Sequence, residues 1–227
     1  MKGWNFLFCL GVAFWGITVA VGAETSSARL QGHWDFNSVE KGVVRDKSGH
    51  GRHGKIHGKP QTAQGVEGAA MRFQSNDDYV DFGAPIIPAQ DFTISIWVNC
   101  DDTEKQFFLG QYKYGDPQRL DLAVREGCVR IQVNDIVDSP KLVRAKTWHH
   151  LAYVRGNGRV AVYLDGQRVA EAPLPTAVLQ TENLMLGKIV VPKQDSFRFT
   201  GVIDELKVWA GPLAEAEIRA QFQSVRK

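Results

Sequence analysis

The stretch from Trp148 to Val169, WHHLAYVRGNGRVAVYLDGQRV, narrows the fold more than any other part of the chain. Val160, Val162 and Leu164 alternate with Ala161 and Tyr163, the period-two pattern of a strand with one buried face. Gly156-Asn157-Gly158 precedes that run, and Asn-Gly supplies the positive backbone angles that a tight hairpin needs. Asp165-Gly166 ends the pair and opens a further short strand, Gln167 to Ala170. Two registers fit. A two-residue Asn-Gly loop sets His150 opposite Asp165, and a three-residue loop sets His149 there. Either one brings an imidazole to a carboxylate. Such a pair resembles catalytic machinery, but a half-buried histidine commonly takes this partner to satisfy its ring. The contact is read as fastening the strand ends.

The first residues are a different kind of segment. Lys2 gives a positive start, Leu7 to Val21 is almost wholly apolar, and Val21-Gly22-Ala23 forms a small-residue cleavage site. Residues 1–23 are expected to be a signal peptide and 24–29 a short lead into one domain spanning 30–227. The apolar run is short for a spanning helix, and Glu24-Thr25-Ser26-Ser27 follows without a basic stop signal. An uncleaved N-terminal anchor is the alternative. Export predicts a secreted, periplasmic or cell-envelope protein with no spanning segment in the mature chain. Cys9 leaves with the signal, so Cys100 and Cys128 remain, in a compartment that permits a bridge without requiring one. A net charge of +2 over 227 residues, with scattered lysines and arginines, argues against nucleic acid as a partner.

Along the mature chain, Leu30 to Phe36 reads as a first strand. Asp46 to Gly51 is a dense turn in which Asp46 can accept backbone N–H groups. His50, His53 and His57 follow at H-x₂-H-x₃-H spacing, but Gly51, Gly54 and Gly58 deny them the helix of a zinc protease, so a structural role is preferred. Met71 to Phe73 and Tyr79 to Phe82 flank a polar tip whose Asp77 and Asp78 point to opposite faces and do not grip one ion. Asp91 to Asn99 is the clearest central strand, with Phe92, Ile94, Ile96 and Val98 facing one way. Thr93, Ser95 and Trp97 face the other, toward a surface expected to be partly wet. Phe107 to Gln111, Leu120 to Arg125 and Cys128 to Asn134 are three more strands; Leu184 to Gly187 and Val202 to Trp209 close the set. Pro212 starts a short helix from Leu213 to Phe222, with Leu213, Ile218 and Phe222 buried.

W-H-H-L-A-Y-V with V-Y-L-D-G resembles the laminin-G-like jelly-roll domains of the concanavalin A-like lectin/glucanase superfamily. D-K-S-G-H-G (46–51), M-R-F-Q-S-N-D-D-Y-V-D-F-G (71–83), D-F-T-I-S-I-W-V (91–98) and F-T-G-V-I-D-E-L-K-V-W (199–209) agree in order. The resemblance covers about Leu30 to Phe222 and implies an all-β, two-sheet antiparallel jelly-roll sandwich with a short C-terminal helix. It also implies a structural calcium ion between the first and last strands, held by Asp35 and Asp204, for which local capping of N–H groups is the alternative. The E-x-D-x-x-E or E-x-D-x-E run of the β-glucan-hydrolysing relatives does not occur. Asp204-Glu205 are adjacent and point to opposite faces.

The resemblance is specific for fold and much less so for function. The expected function is non-catalytic recognition of a glycan, a glycoconjugate or a cell-surface protein. A sandwich presents its loops to solvent, so Tyr112 and Tyr114 are the candidate stacking platforms, with Gln118, Asn134 and Asp135 as polar contacts; covering of sheet edges is the alternative for the tyrosines. The runner-up is a glycoside hydrolase with a divergent acid pair, drawn from Asp121, Glu126, Asp135 and Asp138. If the strands ending at Asn99, Gln111 and Arg125 run alternately up and down, Cys100 and Cys128 emerge at one end and can form a disulfide.

Overall fold

A computed structural model describes residues 26–191 and 197–225. The expected signal peptide and its cleavage site lie outside the described residues. Among them, the strands form two antiparallel sheets, one of eight strands and one of nine, stacked as a jelly-roll sandwich. The alternating residues of both sheets meet in one core. Phe92, Ile94, Ile96 and Val98 from the eight-stranded sheet pack with Leu120, Leu122, Val124, Val129, Ile131 and Val133 from the other.

At the centre of the eight-stranded sheet, Phe92–Cys100 lies between Trp148–Gly156 and Gly201–Ala210. Asn157-Gly158 forms the two-residue turn, with Gly156 opposite Arg159 and φ of +53° and +69° at the turn residues. This register puts His150 opposite Asp165, whose N–H donates to His150 O and whose Oδ1 accepts from His150 N. The ring contact belongs to the neighbour instead. His149 Nδ1 lies 2.9 Å from Asp165 Oδ2, and His149 Nε2 accepts from Arg144 N, so the imidazole is satisfied on both sides and fastens the strand end.

The far side of Phe92–Cys100 is drier than the alternation suggests. Thr93, Ser95 and Trp97 are all buried, because the helix Glu215–Ser224 lies over them. Trp97 stacks on Phe222 at 5.7 Å, and Leu213 and Ile218 pack on Ala152, Val154 and Tyr163. The helix starts two residues later than expected, since Leu213 N is spent on Thr93 Oγ1 and Glu217 caps Ala214 N.

Arg155 is the largest polar side chain fully buried. Its guanidinium donates to the carbonyls of Ala89, Gln90, Leu174, Pro175 and Thr176, tying two long connections to the strand end. In the nine-stranded sheet, Asp135–Lys141 forms one edge and Val39–Glu40 the other. Pro140 sits on that first edge, where a missing N–H costs nothing.

This arrangement corrects the expected disulfide and gives the three histidines and the two calcium candidates local partners. Both cysteines are free. Cys100 faces the core from the eight-stranded sheet, whereas Cys128 ends a strand of the other sheet, on the side away from the core residues Val129, Ile131 and Val133. The two turns do share one end of the sandwich, where Glu126 N and Gly127 N donate to Glu104 O and Thr103 O, but the chain changes sheets between Cys100 and Lys105, and that keeps the sulfurs apart. The three histidines do not converge: His50 bonds Leu30 O, His53 Nδ1 accepts from Asp46 N, and His57 stacks on Tyr79. Asp35 and Asp204 do not fit a cation either. Asp35 serves Lys47 and Asn37 N, and Asp204 accepts from Val66 N, Glu67 N and Glu205 N. Among the described residues no three His, Cys, Asp or Glu gather to hold a metal.

Candidate functional site on the open face of the nine-stranded sheet

Among the described residues no helix lies over the outer face of the nine-stranded sheet, and the candidate tyrosines lie there. Along Lys105–Gln111 the side chains alternate. Gln111 turns inward, where its Oε1 accepts from Ile86 N and Ile87 N while Nε2 donates to Leu179 O. Leu179 N in turn donates to Gln118 O. One buried amide thus anchors both loops that rim the site. Gly110 and Tyr112, on either side of Gln111, face outward.

Gly110 makes the floor of a cleft of about 300 Å³, walled by Tyr112, Thr181, Glu182, Asn183, Met185, Ile189 and Val190. A Cβ at position 110 would lie 2.3 Å from Ile189 Cγ2, so any larger residue fills the space. Beside the cleft is a shelf formed by Tyr112, Lys113, Tyr114, Glu182 and Val190. Tyr114 is 62% exposed, a large apolar ring held in water, whereas Tyr112 is half-buried under the Arg119 guanidinium at 5.7 Å. Burial lifts the Tyr112 phenol above its ordinary value, with Arg119 opposing, so it stays a neutral hydrogen-bonding group at neutral pH.

The structure therefore brings Tyr112 and Tyr114 together, and adds Gly110, Glu182, Asn183 and Ile189, which sequence reasoning missed. Gln118 is exposed on the rim. Asn134 and Asp135 form the exposed turn between Cys128–Val133 and Asp135–Lys141 and do not line the cleft. Asn134 adopts φ of +58°, so a turn requirement accounts for it.

The four acids of the hydrolase alternative are dispersed. Glu126 pairs with Lys141 at the turn after Leu120–Arg125, Asp135 is exposed at the opposite end, and Arg130 grips both oxygens of Asp138 at 2.7 and 2.6 Å. Asp121 is different. It is 2% exposed, its Oδ1 has no hydrogen-bond partner, and burial pushes its carboxyl up to about 7 against Arg119, Arg130 and Arg125. Directly across the sheet from it run Gly110, Met185 and then Asp81. Asp81 is three strand spacings away, roughly 14 Å at about 4.8 Å each. Retaining and inverting glycosidases hold their carboxyls about 5–10 Å apart.

Comparison with known proteins finds the same fold. Residues 74–219 match the family described as the concanavalin A-like lectin/glucanases superfamily, and the chain belongs to it. Domain 4 of AbnA, a GH43 extracellular arabinanase from Geobacillus stearothermophilus solved with arabinotriose, superposes with a TM-score of 0.70 at 19% identity, over 87% of this chain and 98% of that one. The receptor-binding domain of botulinum neurotoxin C/D mosaic serotype gives 0.66 at 13% identity, over 86% of this chain and 51% of the toxin domain. Trypanosoma rangeli sialidase, solved with sialic acid, gives 0.64 at 15% identity, over 89% of this chain and 34% of the sialidase. At these identities the likeness shows the fold. No curated protein shows significant similarity to the chain. Among the described residues, no helix is long and apolar enough to cross a membrane.

Proposed function

We propose that the protein is exported through residues 1–23 and acts outside the cytoplasm as a non-catalytic carbohydrate-binding domain, taking a glycan or a glycosylated surface partner in the Tyr112–Tyr114 cleft. The observation that carries this reading is the pairing of an exposed aromatic ring with a shallow, mixed polar cleft over Gly110. A pyranose or furanose ring has an apolar face for Tyr114 and Tyr112 and hydroxyls for Glu182, Asn183 and Thr181. The arabinotriose-bound and sialic-acid-bound relatives support a saccharide as the class of ligand. The engagement of Asp138 by Arg130 and of Glu126 by Lys141, and the place of Asp135 at the opposite end of the sheet, support recognition over cleavage by those acids. Each sugar hydroxyl exchanges a water hydrogen bond for a protein one, so single-site affinity is roughly millimolar to micromolar and grows with repetition of the epitope.

Calorimetric titration of the exported protein against a panel of neutral and acidic oligosaccharides tests the reading. Tyr114→Ala and Tyr112→Ala should each weaken binding about tenfold or more, a loss of one base- or sugar-sized stacking contact. Wild-type affinity in both variants would remove the cleft from the argument. Release of reducing sugar at steady turnover would replace recognition with hydrolysis.

A further inference from the structure

The proposed sugar site consists of two adjoining spaces of different chemistry. The cleft over Gly110 has about 300 Å³ and the shelf beside it about 340 Å³, and Tyr112 and Glu182 border both. At about 30 Å³ per water, each has room for about ten waters, which is enough for one sugar unit with its hydroxyls. The cleft meets its occupant with the hydrogen-bonding groups of Thr181 and Asn183 and the apolar side chain of Met185. The shelf offers an aromatic face instead, and that face belongs to Tyr114, 62% exposed.

Local hydrogen bonds hold the shelf in shape. Lys113-Tyr114-Gly115-Asp116 is a closed turn in which Asp116 N donates to Lys113 O at 3.1 Å and Gly115 takes φ of +80° at the third position. Asp116 then ties the turn to the chain beyond it: its carbonyl accepts from Arg119 N and from the Arg119 guanidinium, and its Oδ1 accepts from Gln118 N. Tyr114 is thus carried at the second position of a braced turn, so docking a ring on it orders little backbone. Tyr112 is placed differently. The Arg119 guanidinium lies over one of its faces at 5.7 Å, so Tyr112 serves as a side wall common to both spaces rather than as the platform of either. Across from it, Asn183 Nδ2 donates to Asp81 Oδ1 at 3.0 Å, which fixes the amide in the cleft wall.

We infer that the ligand is an oligosaccharide rather than a single sugar, with one ring in the cleft beside Thr181 and Asn183, the next ring stacked on Tyr114, and the glycosidic linkage crossing between Tyr112 and Glu182. The inference rests on the carbohydrate reading above and adds to it the length of the ligand and a division of labour. The cleft reads hydroxyls, and the shelf supplies stacking. Glu182 borders both spaces, so its carboxylate is the acceptor that hydroxyls of both rings reach, through charge-assisted bonds. Once the first ring is bound it tethers the second, so the shelf adds affinity without a second association step.

Titration of the ¹⁵N-labelled exported protein with homologous series tests this, each series running from the monosaccharide through its di-, tri- and tetrasaccharides. The probes are the arabinose, xylose, glucose and N-acetylglucosamine series. In a series that binds, affinity should rise about tenfold or more from one unit to two, or become measurable only at two, and change little beyond three. The amides of Gly110 and Asn183 should shift with any member that binds, and those of Tyr114 and Gly115 only from the disaccharide onward. Tyr114→Ala should flatten the rise while leaving any monosaccharide affinity within about twofold of wild type. Glu182→Gln, which keeps the shape and removes the charge, should weaken the disaccharide by about tenfold and the monosaccharide by less. A monosaccharide that binds as tightly as its oligomers, or a rise with length that survives Tyr114→Ala, would overturn the two-ring site while leaving the carbohydrate reading in place. If no member of any series shifts the cleft amides, the carbohydrate reading itself falls and takes the two-ring site with it.

Discussion

The outer face of the eight-stranded sheet is closed by the chain's own helix, and the outer face of the nine-stranded sheet is left to water. On the closed face Leu213 and Ile218 form a second small core with Ala152, Val154 and Tyr163, and even the polar pair there, Ser95 with His150 at 2.8 Å, is walled in by Trp97 and Phe222. On the open face, Tyr114, Ile136 and Val190 are exposed and Lys188, Arg198 and Arg119 remain at the surface. A serine beside a histidine therefore does no chemistry in one place, because no substrate reaches it. Tyrosines over a glycine floor stand open to solvent in the other, and access is what separates a satisfied polar group from one free to bind.

The largest effect that would break this contrast is on the closed face. Trp97→Ala should cost about 3–5 kcal/mol in urea unfolding, since it empties the space between Phe222 and His150. Tyr114→Ala, on the open face, should stay within about 0.5 kcal/mol of wild type. A Trp97→Ala cost below about 1 kcal/mol would mean that the helix covers the sheet without holding it.

The two faces also hold matched acids whose substitutions should differ in sign. Burial raises both Asp121 and Asp204 to about 7, but Asp204 accepts three backbone N–H bonds and Asp121 Oδ1 accepts none. Between the unfolded value near 3.8 and the folded value near 7, the native state binds the proton that the unfolded state has lost. Stability from either group is thus full below that window and falls as pH rises through it. For one such shift the ceiling is roughly 4 kcal/mol, and on the order of 1–2 is expected after relaxation. His150, held down at about 4 by burial, acts oppositely and costs stability as pH falls from 6.5, so each variant is compared with wild type at the same pH. Asp121→Asn should raise the melting temperature at pH 8 and leave it nearly unchanged at pH 5. Asp204→Asn should lower it at both, through a loss of about 1–3 kcal/mol of stability, because an amide cannot accept the same three donors. Equal responses would erase the distinction between a bonded and an unbonded buried acid.

How much of this was legible in the sequence follows from what each signal measures. Alternation identified Phe92 to Val98 and Val160 to Leu164 correctly, and Asn157-Gly158 limited the register to two choices, because these are local properties of the chain. The helix was legible from Pro212 and its apolar spacing, but its role as a cover over Thr93, Ser95 and Trp97 was not. The candidate site was half legible. Tyr112 and Tyr114 stand in a loop that reads as a loop, while Gly110 looked like one residue of a strand. The meaning of Gly110 depends on the approach of Ile189, far from it in sequence, which composition does not encode. Arg155 was invisible for the same reason, since its five carbonyl partners come from two connections far from it in sequence.

The smallest expected effect concerns the cysteines, and it tests where the chain changes sheets. A disulfide from Cys100 to Cys128 would require the strands of both to share one face, but Cys100 points into the core and Cys128 points out from the opposite sheet. Burial also pushes the Cys100 thiol up to about 12, with Asp102 and Asp101 adding to it, so little thiolate forms near neutral pH. Reductant should leave the melting temperature unchanged, whereas loss of a bridge closing about 29 residues would cost roughly 3 kcal/mol. A thiol reagent at pH 8 should label the half-buried Cys128 in the folded protein within minutes and reach Cys100 only on unfolding, read as one added mass followed by a second. Labelling of neither residue without reductant, with both appearing after it, would restore the bridge and require the connection after Cys100 to run differently.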